Sequence, residues 1–195
     1  YGRVSVPYAD KMITEITCHA MGAVWIFDNK DMTIIDIGGQ DTKIICVEQG
    51  FVKDFMMNDK CSAGTGRFLE IMANTLSMRP NEMCELAREG SGVTISSMCT
   101  VFAESEVISL IGQGEKKENI AFAVVDSIVR KVAAQANRMS EDRPMLCLTG
   151  GLCECSYISE ALTKELGMEV KTDPQSRYAG AIGAALGAVK KGKKN

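Results

Sequence analysis

The segment Met32-Thr-Ile-Ile-Asp-Ile-Gly-Gly-Gln-Asp-Thr-Lys43 decides the fold. Its first half is rich in β-branched residues, which favours a strand, and Gly38-Gly39 then ends that strand. The run Lys43–Val47 predicts a second strand that ends at Gly50, and Phe51–Met57 predicts a third. Strand, tight glycine turn and strand in this order indicate a β-hairpin.

The turn of this hairpin has the composition of a phosphate-binding loop. Gly38 and Gly39 have no Cβ, so the backbone can turn tightly, approach a ligand and offer its N–H groups to an anion. Asp36 at the strand end is suited to position Mg²⁺ through water, and Gln40 is suited to orient an attacking water. Asp36 and Gln40 are therefore the candidate catalytic residues. A hairpin turn without a ligand is the alternative.

Helical and strand patterns follow one another along the rest of the chain. The spacing of apolar residues predicts helices at Ala9–Met21, Arg67–Leu76, Asn81–Ala87, Val101–Ile111, Asn119–Met139, Ile158–Leu166 and Tyr178–Val189. Short strands are predicted at Val93–Ser96, Met145–Leu148 and Met168–Lys171. Because helices and strands alternate in the second half, we expect an α/β layer architecture.

Two further glycine motifs support a ligand site. Leu148-Thr-Gly-Gly151 ends an apolar strand, and α/β folds place ligands at the carboxyl ends of strands. Gly180-Ala-Ile-Gly-Ala-Ala-Leu-Gly187 predicts a helix with a flat face of small residues, which suits close packing.

Composition excludes several classes of function. The net charge of −3 gives no support to nucleic-acid binding. No apolar run approaches the roughly 20 residues that a membrane helix needs. Eight cysteines and twelve methionines in a chain of 195 residues favour the reducing cytoplasm over an oxidising compartment. Cys46 and Cys147 lie in apolar strand runs, where we expect them to act as small buried hydrophobic residues.

The order of the motifs identifies a family. The hairpin motif is followed by Asn58-Asp-Lys-Cys-Ser-Ala-Gly-Thr-Gly-Arg-Phe-Leu-Glu70 and by Ser97-Met-Cys-Thr-Val-Phe-Ala-Glu-Ser-Glu-Val-Ile-Ser109. The Gly150-Gly151 and Gly180–Gly187 motifs come next. This arrangement resembles the activator ATPases of 2-hydroxyacyl-CoA dehydratases and the related ATPase subunits of benzoyl-CoA reductases, and the likeness extends from about Tyr1 to Val189.

The resemblance implies an α/β fold of the actin/Hsp70/sugar-kinase type, which is ribonuclease H-like. It also implies two lobes: residues 1–58 as the remainder of the N-terminal lobe with the second phosphate hairpin, and residues 59–195 as the cluster-bearing, adenosine-binding lobe. Family members begin with another Asp-x-Gly-Ser/Thr hairpin, and no such segment precedes Met32. We therefore expect an incomplete N-terminal lobe and an incomplete γ-phosphate site.

By the same resemblance, Cys61 and Cys99 are ligands of one [4Fe-4S] cluster per homodimer. A cubane cluster usually takes four cysteine thiolates, and two per chain require a second copy. Each cysteine precedes a predicted helix, whose N-terminal partial charge stabilises a thiolate. Buried hydrophobic cysteines and a zinc site of four thiolates are the alternatives. The other six cysteines, including Cys153-Glu-Cys155, are interpreted as structural or incidental.

The implied activity is ATP-driven, oxygen-sensitive transfer of a low-potential electron to a dehydratase or a related reductase, with ferredoxin or flavodoxin as the electron donor. Lys43 and Lys60 are suited to phosphate, although solvated surface charge is the favoured interpretation of both. The residues assigned to ATP or ADP with Mg²⁺ are Gly38, Gly39, Gln40, Asp41, Lys43, Ala63, Gly64, Thr65, Gly66, Gly150 and Gly151. The alternatives are a non-hydrolysing dimerisation or electron-relay module, a cluster-free ATPase or sugar kinase of this fold, and a zinc-stapled structural protein.

Overall fold

The computed structural model describes residues 8–9, 12–97, 99–139 and 144–189. Within these ranges the strands are β1 (Met32–Ile37), β2 (Thr42–Glu48), β3 (Phe51–Asn58), β4 (Leu146–Thr149) and β5 (Val170–Lys171). The α-helices are α1 (Glu15–Phe27), α2 (Gly66–Thr75), α3 (Pro80–Leu86), α4 (Thr100–Gly112), α5 (Lys117–Met139), α6 (Ser156–Leu166) and α7 (Ala179–Val189). Short 3₁₀ helices lie at Ala87–Glu89, Gly151–Glu154 and Ser176–Tyr178.

The strands form one mixed sheet in the order β3-β2-β1-β4-β5. β1, β2 and β3 are antiparallel neighbours, as the hairpin prediction required. β4 runs parallel to β1, and β5 runs parallel to β4. The predicted α/β architecture is confirmed.

The central strand β1 is buried at all six of its positions. Its side chains alternate between two cores: Ile35 and Ile37 face the larger core, and Met32 and Ile34 face the smaller one. Helices α2 to α6 contribute to the larger core, and α1 contributes to the smaller one. Because both faces are covered, even the two polar residues of the strand, Thr33 and Asp36, are buried.

The first helix is displaced from its predicted position, since α1 covers Glu15–Phe27 and not Ala9–Met21. The side chain of Thr14 caps its start by accepting a hydrogen bond from the N–H of Thr17 at 3.2 Å. Gly22 does not end the helix. A Cβ on Gly22 would lie 1.8 Å from the carbonyl oxygen of Ala179, so the glycine lets α7 pack directly on α1.

Two other features differ from the sequence-based expectations. Val93–Ser96 is irregular and forms no strand. The predicted lobe boundary after residue 58 does not break the sheet, because β1 pairs with β2 on one side and with β4 on the other. The division into lobes at residue 58 stays a prediction, and the sheet lends it no support.

Within the described ranges, none of the helices combines the length and the apolar character needed to cross a bilayer.

Candidate functional site

The two glycine motifs meet at one edge of the sheet. β1 and β4 are parallel neighbours with Asp36 opposite Thr149, so their carboxyl ends lie side by side. Gly150 has a φ of 81°, and a Cβ there would lie 2.4 Å from the carbonyl oxygen of Ile37. Only glycine fits this position, because it alone adopts this backbone conformation readily and has no side chain to collide with β1.

Asp36 lies at this edge and is 2% exposed. Its Oδ1 accepts a hydrogen bond from the Thr149 hydroxyl at 3.1 Å and lies 3.1 Å from Nε2 of His19. Its Oδ2 accepts a hydrogen bond from the Lys43 ammonium at 3.3 Å. Burial raises the pKa of the Asp36 carboxyl, but His19, Lys43 and Thr149 outweigh burial and hold this pKa below its ordinary value. Asp36 is therefore an ionised, buried group with protein partners on both oxygens.

His19 comes from α1 and was not found from the sequence. The histidine is 9% exposed, and among the described residues its ring nitrogens form no well-aligned hydrogen bond. Its Nε2 nevertheless lies 3.1 Å from Oδ1 of Asp36. A single histidine in an apolar helix carries no sequence signal that pairs it with a strand carboxylate.

Lys43 is also buried, at 1% exposure. Its Nζ lies 2.8 Å from Asp41 Oδ1, 3.0 Å from Glu15 Oε1 and 3.3 Å from Asp36 Oδ2. Burial lowers the pKa of the Lys43 ammonium, but the three carboxylates raise it above its ordinary value. The interpretation of Lys43 as a solvated surface charge is wrong, because three acidic partners offset the cost of burying the ammonium. Lys60, in contrast, has an 88% exposed side chain, as expected.

The β1–β2 turn leaves its tip open. The N–H of Gly38 donates to the carbonyl of Asp41 at 2.9 Å and closes the turn. Gly39 and Gln40 are exposed, and a Cβ on Gly39 would meet no atom within 4 Å. A ligand can therefore approach the backbone of Gly39 and the side chain of Gln40 from solvent.

The turn is tied to the cysteine loop, residues 61–65, and to the start of α2 that follows it. The N–H groups of Gly66 and Arg67 donate to the carbonyls of Gly38 at 2.9 Å and Gly39 at 2.7 Å. The Thr42 hydroxyl donates to the carbonyl of Gly64 at 2.7 Å. These three hydrogen bonds place the predicted phosphate turn directly against the cysteine loop.

The middle of this loop is buried. Ala63 is 4% exposed, Thr65 is fully buried, and Gly64 is buried between them. The Thr65 hydroxyl donates to the carbonyl of Ser62 at 2.6 Å, and the Asn58 amide donates to the carbonyl of Cys61 at 2.9 Å. The side chains of Ala63 and Thr65 thus stabilise the loop, and only Gly66 of the predicted nucleotide-binding stretch is partly exposed.

The two predicted ligand cysteines belong to neighbouring segments. The hydroxyls of Ser62 and Thr100, the residues directly after Cys61 and Cys99, are hydrogen-bonded at 2.7 Å. Cys61 is half-buried, Cys99 is exposed, and both thiols are free. Tertiary structure therefore brings together two motifs that are far apart in sequence.

The segment before Cys99 is held by Glu106 of α4. The Glu106 carboxylate accepts hydrogen bonds from the N–H of Ser96 at 2.8 Å, from the Ser96 hydroxyl at 3.0 Å and from the Ser97 hydroxyl. The bond from Ser97, followed by those from Ser96, holds the pKa of Glu106 below its ordinary value against the effect of partial burial. Glu106 was not found from the sequence. The available signal is two serines just before a helix that contains a glutamate, a pattern that permits these hydrogen bonds.

The expected position of both cysteines at helix starts is correct for only one of them. Cys99 is the N-cap of α4. Cys61 lies further from α2, which has Thr65 as its N-cap, and the first N–H groups of α2 are bonded to the β1–β2 turn. The positive group near Cys61 is instead Lys131 of α5, whose Nζ lies 3.6 Å from Cys61 Sγ.

Other cysteines are mostly interior. Cys147 is fully buried in the smaller core as expected, whereas Cys46 is half-buried. Cys153 and Cys155 are each 6% exposed, and burial raises the pKa of the Cys153 thiol to about 11. Across the part of the chain that the structure describes, no three His, Cys, Asp or Glu side chains form a metal-ligand group.

The sequence comparisons match one family of ATPases and individual activators of acyl-CoA dehydratases. The family model for the BadF/BadG/BcrA/BcrD ATPase family matches residues 1–188. The (R)-2-hydroxyglutaryl-CoA dehydratase activating ATPase of Acidaminococcus fermentans is 48% identical, over 100% of this chain and 75% of that protein. The activator of lactoyl-CoA dehydratase of Anaerotignum propionicum is 43% identical, over 95% of this chain and 72% of that protein.

Solved structures agree with the sequence matches. Component A of the Acidaminococcus fermentans (R)-2-hydroxyglutaryl-CoA dehydratase superposes with a TM-score of 0.90 at 48% identity, over 95% of this chain and 71% of that one. The activator of the 2-hydroxyisocaproyl-CoA dehydratase from Clostridium difficile, with bound ADPNP, gives 0.89 at 38% identity, over 100% and 75%. The ethanolamine utilization protein EutJ of Carboxydothermus hydrogenoformans shares only the fold, with a TM-score of 0.56 at 16% identity over 89% and 54%. The predicted actin/Hsp70-like fold and the predicted resemblance are confirmed.

Proposed function

The chain belongs to the BadF/BadG/BcrA/BcrD ATPase family, and we propose that it is an ATP-dependent activator that donates a low-potential electron to a 2-hydroxyacyl-CoA dehydratase or a related acyl-CoA reductase. Relatives named as activators of 2-hydroxyglutaryl-CoA, 2-hydroxyisocaproyl-CoA and lactoyl-CoA dehydratases support the partner class. A relative named as part of the benzoyl-CoA reductase of Thauera aromatica, at 32% identity, supports the reductase alternative.

One observation carries this proposal: the cysteine loop is bonded to the phosphate turn. Thr42 is hydrogen-bonded to the loop that begins at Cys61, and Gly38 and Gly39 are hydrogen-bonded to the first two residues of α2, which follows that loop directly. A ligand that binds with different affinity to two positions of the turn can therefore shift the loop by its differential binding energy. Such a direct connection is one way to couple nucleotide state to a redox centre.

We assign Cys61 and Cys99 as the residues that hold a [4Fe-4S] cluster. Their free thiols, their solvent access and the bond between Ser62 and Thr100 fit two ligands of one cluster. A second copy of the chain would supply the other two thiolates. When bound, the cluster supplies one-electron redox chemistry. Zinc fits the same four thiolates, and an absorption spectrum separates the two metals.

Helix α4 supports the homodimer. It begins directly after Cys99 and exposes four large apolar side chains: Val101 at 66%, Phe102 at 65%, Ile108 at 56% and Ile111 at 42%. Large apolar side chains close together on a surface mark interaction sites. A two-fold contact through α4 would bury them and bring two pairs of cysteines together.

The nucleotide half of the proposal places ATP or ADP with Mg²⁺ between the β1–β2 turn and the Gly150-Gly151 turn. The ADPNP-bound activator from Clostridium difficile supports nucleotide binding by this fold. Gln40 is exposed at the tip of the turn, where we expect it to orient the attacking water. Asp36 and Lys43 are buried behind the turn, so we assign them the role of fixing its position and charge. A ferredoxin or flavodoxin donor and a cytoplasmic location remain predictions.

The cluster assignment is tested by anaerobic purification and an absorption spectrum, with reconstitution by iron and sulfide. We expect a brown protein with about one cluster per two chains. Cys61→Ser and Cys99→Ser should lose the colour, and Cys46→Ser, which alters a half-buried cysteine of β2, should keep it. A wild-type protein that stays colourless after reconstitution would refute the cluster.

The role of Gln40 is tested by ATP turnover and by nucleotide-dependent thermal stability. Gln40→Ala should lower turnover about 100-fold or more, as loss of a water-orienting group does, and keep the thermal shift that ATP binding produces. Unchanged turnover in Gln40→Ala would show that another residue orients the water.

A further inference from the structure

We propose that Lys131 is a positioning residue for the cluster, an inference that rests on the proposed function. Its ammonium group stabilises negative charge at the Cys61 side of the site, and its alkyl stem supports the loop that connects Cys61 to the nucleotide turn. No motif of the sequence includes Lys131, which belongs to the long helix α5.

The first observation is the contact between charge and ligand. Lys131 Nζ lies 3.6 Å from Cys61 Sγ, in a partly buried position. The following residues Val132 and Ala133 are buried, so α5 is held firmly at this point. An ammonium group on a fixed helix and a sulfur on a loop are therefore kept together by the packing of the core.

The second observation is the contact between the stem and Gly64. Gly64 has a φ of +84°, and a Cβ there would lie 3.1 Å from Cδ of Lys131. The carbonyl of Gly64 accepts the hydrogen bond from Thr42 of β2. The Lys131 side chain thus lies against Cys61 with its charged end and against Gly64, whose carbonyl is bonded to Thr42, with its stem.

A fixed positive charge near Cys61 should favour the reduced form of the cluster. A cubane cluster with four thiolates is an anion, and reduction adds one more negative charge. A fixed cation close to one ligand lowers the energy of the reduced form more than that of the oxidised form. The first N–H groups of α2 are occupied by the β1–β2 turn, so they are not free to play this role. Lys60, next to Cys61 in sequence, is 88% exposed and paired with Asp59, so solvent screens its charge.

The test uses the full chain, reconstituted anaerobically with iron and sulfide, and compares Lys131→Met, Lys131→Gln and Lys131→Arg with wild type. Lys60→Gln is the matched control, since it removes the same charge one residue from Cys61. The readouts are the cluster's midpoint potential in a dye-mediated titration and the rate of iron loss to a chelator. Both are independent of ATP turnover.

We expect Lys131→Met and Lys131→Gln to make reduction about tenfold less favourable, a potential about 59 mV more negative. Iron loss should be several-fold faster in both. Lys131→Arg should restore most of the wild-type potential. Lys60→Gln should change the equilibrium constant for reduction less than threefold. If Lys131→Met and Lys131→Gln fold, take up the cluster and keep the wild-type potential and the wild-type rate of iron loss, the inference about Lys131 is overturned while the proposed function stands. A wild-type chain that takes up no cluster would overturn the proposed function and this inference with it.

Discussion

At the residue scale, the most informative group is the buried polar network of Asp36, Lys43 and His19. Asp36 is 2% exposed and Lys43 is 1% exposed, at the edge where β1 and β4 present their glycine turns. Burying these charges is costly, and their mutual contacts offset the cost only while every partner is present. The network therefore fixes the backbone of the turn, and the exposed Gly39 and Gln40 are left to contact a ligand.

Asp36→Asn should lower the free energy of unfolding by about 3–5 kcal/mol at pH 7, because it leaves the Lys43 ammonium with one buried partner fewer. Urea denaturation followed by circular dichroism measures this value. Asp54→Asn is the matched control on the exposed side of β3 and should change stability by less than about 0.5 kcal/mol. Equal effects of the two substitutions would mean that the network does not stabilise the fold.

A comparison of wild type with Asp36→Asn also tests the pH dependence of stability. The folded-state pKa of Asp36 lies below its ordinary value. The stability that its charged form contributes is therefore complete above about pH 4 and is lost as the pH falls through the lower folded pKa. We expect the difference in unfolding free energy between wild type and Asp36→Asn to shrink between pH 4 and pH 2. A difference that stays constant over this range would contradict the assigned ion pairing.

Gly150 is the second residue-scale test. Alanine at this position would combine a φ of 81° with a Cβ 2.4 Å from the carbonyl oxygen of Ile37 and 2.6 Å from Oδ1 of Asp36. We expect a loss of at least about 3 kcal/mol in the free energy of unfolding. Gly151→Ala is the control, since its Cβ would meet nothing within 4 Å, and thermal denaturation should show little change. Similar melting temperatures for both variants would rule out the close contact of the two turns.

At the element scale, helices α1 and α7 pack backbone to backbone. A Cβ on Gly183 would lie 1.7 Å from the carbonyl oxygen of Cys18, and one on Gly22 would lie 1.8 Å from the carbonyl oxygen of Ala179. This close approach explains the small-residue face of α7. It also holds α1, the helix that contributes His19 and Glu15 to the buried polar network, in place over the sheet.

Gly183→Ala should destabilise the protein by about 3 kcal/mol, because the new methyl group meets backbone that cannot move without separating the helices. Gly187→Ala on the same helix is a matched control. Its Cβ would come within 2.3 Å of Cδ1 of Ile13, the movable end of a flexible side chain, and should cost less than about 1 kcal/mol. Chemical denaturation measures the free energy of unfolding of both variants. A larger loss of stability in Gly187→Ala than in Gly183→Ala would be inconsistent with this packing.

At the scale of the whole molecule, the two halves of the proposed activity lie at one end of the sheet. The β1–β2 turn, the Gly150 turn and the Cys61 loop are joined by close contacts and hydrogen bonds, and the Cys99 segment follows through Ser62 and Thr100. A continuous path of direct contacts therefore runs from the candidate nucleotide site to both cysteines. The apolar side chains of α4 extend this path to a surface suited to a second copy.

Phe102→Glu should convert the proposed dimer into a monomer and abolish cluster uptake, since each chain then has only two ligands. Phe102 is 65% exposed on α4, so the substitution should leave the fold intact. Phe51→Glu is the control, because Phe51 is 78% exposed on β3, the edge strand of the sheet. Analytical ultracentrifugation of the reconstituted proteins separates the outcomes, and a cluster-bearing dimer of Phe102→Glu would exclude α4 from the interface.

The sequence by itself determined β1 to β5, most of the helices, the glycine turns and both cysteine motifs, although it also predicted a strand at Val93–Ser96 that does not form. These features depend on local chemistry: β-branched runs favour strands, apolar spacing favours helices, and glycine permits turns that no other residue allows. Only the tertiary structure decided that Lys43 is buried, that His19 faces Asp36, and that Lys131 lies against Cys61. The contacts of His19 and Lys131 join elements distant in the chain, and Lys43 adds Glu15 of α1 to the two partners within its own hairpin. Burial, charge compensation and ligand support arise from such packing, and the order of residues along one segment carries no record of it.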